Sequence, residues 1–225
     1  MIKNNISYLD LLFVTFVLWW YPIYSSNIIY FPFSQIQDDT NTINYDLILI
    51  LFEAISLLIV FLYFKNKHMD LKLVYFFSKK HLILGVLFFI ITALMMDCYI
   101  MILDYMSRKL NIIQMQQPDY EELKLNILLI VFSILNGFYE EFFFLVICSR
   151  VAKEYKLYVF IFSLMIRFLF HTYQGIDVAL GISLILGCVY YMLFNYSKSK
   201  NLFPFCLSHS IADIIGLSIL GNIFE

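Results

Sequence analysis

The chain has 225 residues, of which 62% are hydrophobic and only 14% charged, with a mean hydropathy of +0.81. A soluble domain carries about a quarter charged residues, so the apolar excess here has nowhere to go but lipid. A formal net charge of −2 gives no reason to expect a nucleic-acid partner. The expected fold class is all-α: a polytopic transmembrane helix bundle whose first partner is the lipid bilayer.

Seven stretches each approach the ~20 residues a helix needs to cross the hydrocarbon core. They are residues 7–24, 46–64, 82–103, 126–148, 157–173, 177–195 and 202–223. The first follows Lys3 in the manner of a signal peptide. It carries Asp10 and Trp19-Trp20 and ends without a small-x-small cleavage pattern, so it reads as a retained helix. Residues 24–33 would add an eighth element if they entered the membrane, but they are too few for a full crossing. With no internal repeat and no low-complexity linker, residues 1–225 read as a single integral-membrane domain.

The loops suggest an orientation. Lys3, Lys65, Lys67, Lys72, Lys79, Lys80, Arg150, Lys153, Lys156, Lys198 and Lys200 fall on one side. The other has only Arg108, Lys109 and Lys124, beside Asp38, Asp39, Asp104, Asp119, Glu121 and Glu122. The positive-inside bias then places the N-terminus in the cytoplasm and the C-terminus outside, for a multi-pass protein of the cell membrane.

Ionisable residues within the spans are costly in lipid and call for a reason. Asp10, Glu53 and Asp97 read first as structural hydrogen-bonding groups. The stretch NGFYEEFFFLVICSR, from Asn136 to Arg150, differs: Glu140 and Glu141 stand side by side in an almost wholly apolar run. The fifth span places Arg167 and His171 four apart, hence on one helix face, and the seventh does the same with His209 and Asp213. Each of these three segments must bury charge against something, and each other is the economical choice. The four cysteines, Cys98, Cys148, Cys188 and Cys206, lie singly in apolar runs and read as packing residues.

Such a set suits water activation and acyl-bond hydrolysis. A carboxylate held among Phe142, Phe143 and Phe144 is a candidate general base, one histidine can position water, and another can stabilise an oxyanion. No serine sits in a nucleophile-elbow pattern. Two histidines with carboxylates would also satisfy zinc; HExxH is absent, so a metal stays an open alternative that the motifs do not indicate, and no cofactor is called for.

A glutamate pair, a histidine on the next helix and an HxxxN/D pair on a later one resemble the CAAX protease and bacteriocin-processing (CPBP, or Abi) family of intramembrane proteases. The likeness covers residues 136–216, and His171-Thr172-Tyr173-Gln174-Gly175 resembles the HxYQG tail of some bacterial members. The resemblance implies catalytic roles for Glu140, His171, His209 and Asp213. Glu140 would activate water with His171, while His209 and Asp213 would form the oxyanion site, without a metal. It also implies a peptide or membrane-protein substrate.

Two departures follow. Where the family's EExxxR motif has arginine, this chain has Leu145, which strips Glu141 of its i+4 partner. Arg150 is nine residues on, ~13.5 Å along the axis, and cannot substitute from the same helix. Arg167, one turn from His171, is the expected replacement, so Glu141 and Arg167 are read as supporting residues. An aspartate at position 213, where asparagine would donate, is expected to orient His209 rather than touch the oxyanion. Helix rise alone puts Glu140 and His209 ~10 Å from the cytoplasmic side and His171 ~20 Å, a mismatch that tilt would have to close.

Two other functions compete. Leu145 supports a non-catalytic bacteriocin-immunity or peptide-binding protein of the same fold, against which the retained charges argue. A proton-coupled carrier using Glu53, Asp97 and Glu140 lacks the repeated halves and broken helices of such transporters.

Overall fold

The structure is a computed structural model describing residues 6–30, 42–71, 73–110 and 127–218. At membrane depth every backbone N–H and C=O must find its partner within its own segment, so the apolar runs become helices. In order these are α1 (Tyr8–Tyr30), α2 (Thr42–Asn66), α3 (Lys79–Lys109), α4 (Ile127–Glu141), α5 (Lys156–His171), α6 (Ile176–Gly181), α7 (Gly187–Tyr196) and α8 (Phe203–Ile215). A π-helical turn, Phe142–Ile147, and a 3₁₀ turn, Cys148–Arg150, prolong α4. A second π-turn, Ile182–Leu186, joins α6 to α7 as one crossing. Among the described residues, β-structure is limited to isolated bridges, including Ile6 with Val151 and Val74 with Asn201.

Six of the seven expected spans are long and apolar enough to cross a membrane. The seventh is α8, whose 13 residues span only ~20 Å. It stops at Gly216, where φ is +86°, a conformation that costs glycine little and other residues more. Residues 219–223 of the expected span, and residues 31–33 of the suggested extra element, lie outside the described residues. Residues 24–30 continue α1. In α3 the helix is longer than expected: 31 residues, started by Ser78, whose Oγ accepts the His81 N–H at 3.4 Å.

The extension of α4 lies at the centre, and α4 itself packs on α2 and α8, while α8 also packs on α3, and α1 on α5. Two devices bring these helices together. Gly137 lets α8 approach α4 so closely that a Cβ there would lie 2.6 Å from Ser210 Oγ and 2.7 Å from the Cys206 carbonyl. Trp19 of α1 is buried between α4 and α5, its ring 4.4 Å from Phe170, 5.2 Å from both Tyr139 and Phe144, and 5.4 Å from Phe143. The Tyr139 hydroxyl donates to the Leu18 carbonyl, pinning the same helix pair.

Polar clamps tie off the helix ends. Buried Asn201 accepts from the Phe76 N–H at 3.1 Å and donates to its carbonyl at 2.9 Å, fixing the start of α8 beside the segment before α3. Asp10 is buried in contact with Lys67, Tyr63 and Ser7, and the Lys67 ammonium beside it is held above the usual lysine range by that bond. Asp97 accepts from Ser218 Oγ at 2.5 Å. The reading of these two acids as structural is the one the contacts support.

Candidate active site

Glu140 and Glu141 close the α-helical part of α4, directly before the π-turn, and both are buried. Neighbouring residues on a helix point ~100° apart at the backbone, yet the two carboxylates converge on the same two partners, His209 and Arg167. Glu140 Oε1 accepts from Asn136 Nδ2 at 3.2 Å and lies 3.5 Å from His209 Nε2. Glu141 Oε1 bonds His209 Nδ1 at 2.8 Å and accepts from Arg167 Nη2 at 3.0 Å. The second oxygen of each glutamate has no hydrogen-bond partner among the described residues.

Arg167 is 1% exposed, which for an arginine demands compensation on every side. Beyond Glu141, its Nη1 is 3.9 Å from Glu140 Oε2, and its guanidinium carbon lies 4.1 Å from the centre of the Phe144 ring. The cation therefore reaches Glu141 from α5, while Leu145 is buried in the π-turn at the position where the family motif has arginine.

His171 is the last residue of α5, and its Nδ1 lies 2.8 Å from the Arg167 carbonyl. A carbonyl oxygen only accepts, so Nδ1 carries the hydrogen and Nε2 of the neutral ring keeps its lone pair. The end of α5 is held from α1: Ser26 Oγ accepts the Tyr173 N–H at 2.9 Å and bonds Thr172 Oγ1 at 2.8 Å. His171 is within charge–charge reach of Glu140.

His209 sits between carboxylates. Besides the glutamates, Asp213 Oδ1 lies 3.5 Å from its Nε2, and Asp213 Oδ2 accepts from Asn136 Nδ2 at 2.8 Å. Carboxylate oxygens accept, so a hydrogen on each ring nitrogen would complete these contacts. All six residues singled out from sequence thus fall in one cluster. It also contains Asn136, which bridges Glu140 to Asp213 and which sequence reasoning left without a role. Its position one turn before Glu140, on the same face, was the available signal.

Glu140, Glu141 and His209 each offer one atom, all within 4.8 Å of one another, which is close enough to hold a metal ion. Arg167 already brings positive charge to the same two carboxylates, and a cation placed between them would be repelled by it.

Fold and site together define a class: multi-pass helical membrane proteins with a buried carboxylate–histidine centre. Residues 122–215 match the model of a family described as Rce1-like, type II CAAX prenyl endopeptidase Rce1-like. The likeness to CAAX proteases carried by the motifs is therefore shown over that segment, which takes in every site residue described above, and it supports an intramembrane endopeptidase in general terms. No curated protein and no solved structure matches the chain.

Proposed function

We propose that this protein is an intramembrane endopeptidase that hydrolyses a peptide bond of a membrane-associated peptide or protein, with water activated by Glu140. One observation carries the reading: Glu140 is held through one oxygen by Asn136 and His209, while its other oxygen has no hydrogen-bond partner among the described residues. A carboxylate fixed through one oxygen, with the other uncommitted to a hydrogen bond, is the arrangement a general base needs.

In this reading water loses a proton to Glu140 Oε2 as its oxygen attacks the scissile carbonyl. His171, with Nδ1–H committed to the Arg167 carbonyl, offers Nε2 to orient that water. His209 donates to the developing oxyanion from Nε2, whose 3.5 Å contacts to Glu140 and Asp213 are at the limit of a hydrogen bond and easily exchanged. The proton on Glu140 then passes to the leaving amine as the C–N bond breaks. Asp213, tethered by Asn136, orients His209, and the Arg167–Glu141 pair holds the imidazole from the other side. No cofactor enters this scheme. The basic loops around Lys65–Lys80 and Arg150–Lys156 face the cytoplasm, so α1 enters from that side.

The test is cleavage of a fluorogenic peptide panel by detergent-purified protein, with Glu140→Ala and His171→Ala alongside and a chelator in parallel. Cleavage lost in both variants and indifferent to chelator is the expected result. Cleavage lost with chelator alone would convert the Glu140–Glu141–His209 set into a metal site.

A further inference from the structure

The family match begins at residue 122, so nothing in it assigns a role to α2, yet α2 carries an acid that its packing does not explain. Glu53 is 4% exposed and begins a buried stripe with Ser56, Leu57, Val60 and Phe64, the face that α2 turns to the centre of the bundle. Its Oε2 has no hydrogen-bond partner among the described residues. Its charged neighbours are Glu140 of α4 and His209 and Asp213 of α8, all members of the site, and Tyr139 of α4 lies beside it. Glu53 thus borders the site from α2, which packs on α4.

A structural role accounts poorly for this residue. Asp10 and Asp97, the other two acids that sequence reasoning set aside, both have hydrogen-bond donors within the bundle. Tyr139, the neighbour best placed to donate, spends its hydroxyl on the Leu18 carbonyl. A buried acceptor with no donor of its own is completed by whatever occupies the site beside it. Three carboxylate oxygens at this centre, those of Glu53, Glu140 and Glu141, lack hydrogen-bond partners among the described residues, so the fitting occupant is rich in N–H or O–H groups. An extended peptide chain is such a ligand, because its backbone presents an N–H at every residue.

We propose that Glu53 is a substrate-binding residue of this site, its carboxyl taking a hydrogen bond from a backbone N–H of the bound peptide beside the scissile bond. The proposal rests on the endopeptidase reading and extends it to a helix outside the matched segment. Loss of a contact made equally in ground and transition states raises KM and leaves kcat in place.

The experiment compares full-length wild type with E53Q and E53L in detergent, reading thermal midpoint and the kinetics of the best fluorogenic peptide. A residue kept for binding at the expense of the fold predicts midpoints at or above wild type, by up to about 2–4 °C. E53L should raise KM roughly ten- to hundredfold with kcat little changed. E53Q, which keeps an acceptor oxygen, should recover most of that loss. A lowered midpoint in both variants would make Glu53 structural and overturn the proposal, as would unchanged KM or a fall in kcat alone. Failure of this idea is separable from failure of the protease reading. Glu140→Ala abolishing cleavage while both Glu53 variants bind normally sinks only the former. Should no peptide be cut even by wild type, the sign of the midpoint change still decides whether the fold needs Glu53.

Discussion

The spans containing α3 and α4 are both strongly apolar, with mean hydropathies of 2.4 and 1.7 over an 18-residue stretch of each, yet 28% of that stretch is buried within the protein in the first and 61% in the second. In water such numbers would separate surface from interior. In lipid they do not, because a residue facing hydrocarbon and a residue facing another helix have the same preference. What distinguishes the two helices is their polar content. Buried α3 residues include Thr92 and Asp97, whereas α4 concentrates Ser133, Asn136, Glu140 and Glu141 on its inner faces. Over these stretches the less apolar span is the central one, where the polar groups it carries find their partners.

The sharpest way to break this comparison is to remove the charge that makes α4 central. Glu140→Gln keeps the shape and should lower kcat by about 10²–10⁴, the range of a general base, with the fold intact. Exposed Leu94 and Met95 of α3 are the controls: either one changed to alanine should alter stability by less than about 0.5 kcal/mol and leave cleavage unchanged. A Glu140→Gln enzyme with full activity would remove α4 from the chemistry altogether.

Next in size is Arg167→Met. It leaves Glu141 buried without its cation, which should cost about 3–5 kcal/mol of stability in chemical unfolding. Adding Leu145→Arg, which returns the cation to the π-turn, should recover part of that loss. Equal stability of the single variant and wild type would show that Glu141 is held by something else.

Helix approach offers a finer contrast. A Cβ on Gly137 would strike the Cys206 carbonyl at 2.7 Å, a backbone atom that cannot move alone, so Gly137→Ala should destabilise by about 1–3 kcal/mol. On α3, a Cβ on Gly85 would first meet Leu207 Cδ2 at 2.7 Å, the far end of a flexible side chain. Gly85→Ala should therefore cost less than Gly137→Ala. The reverse order would mean that the outer contact of α8 is the rigid one.

These contrasts also show where sequence sufficed. The spans were legible because backbone satisfaction in lipid leaves helices as the choice, and the cluster was legible because buried charges must find each other. Arg167 could be paired with Glu141 from the absence of an arginine at Leu145 and one helix turn of geometry. The π-turn at Phe142–Ile147 was not legible, since it inserts its extra residue within an unbroken apolar run. Nor was the shortness of α8: Gly216 could equally have sat inside a longer helix, and its left-handed backbone is what ends it. Glu53 was read as a structural group because its neighbours come from helices far along the chain, and spacing within α2 carries no trace of them.

Asn136 is the smallest expected effect and the most discriminating. Its amide donates to both Glu140 and Asp213, joining the proposed base to the residue that orients His209. Replacement by alanine removes both bonds, but the two carboxylates are not equally stranded. Glu140 keeps its contact with His209, and the Asp213 side chain is 23% exposed and can recruit other donors. The net cost should be near that of one ordinary hydrogen bond, about 1 kcal/mol, or roughly fivefold in rate. Because the bonds order catalytic groups rather than hold substrate, the loss should fall on kcat with KM unchanged. An equal loss in a Glu140→Gln background would show that Asn136 acts through something other than Glu140. No further loss there would place Asn136 and Glu140 in one working unit, since coupled residues are not additive.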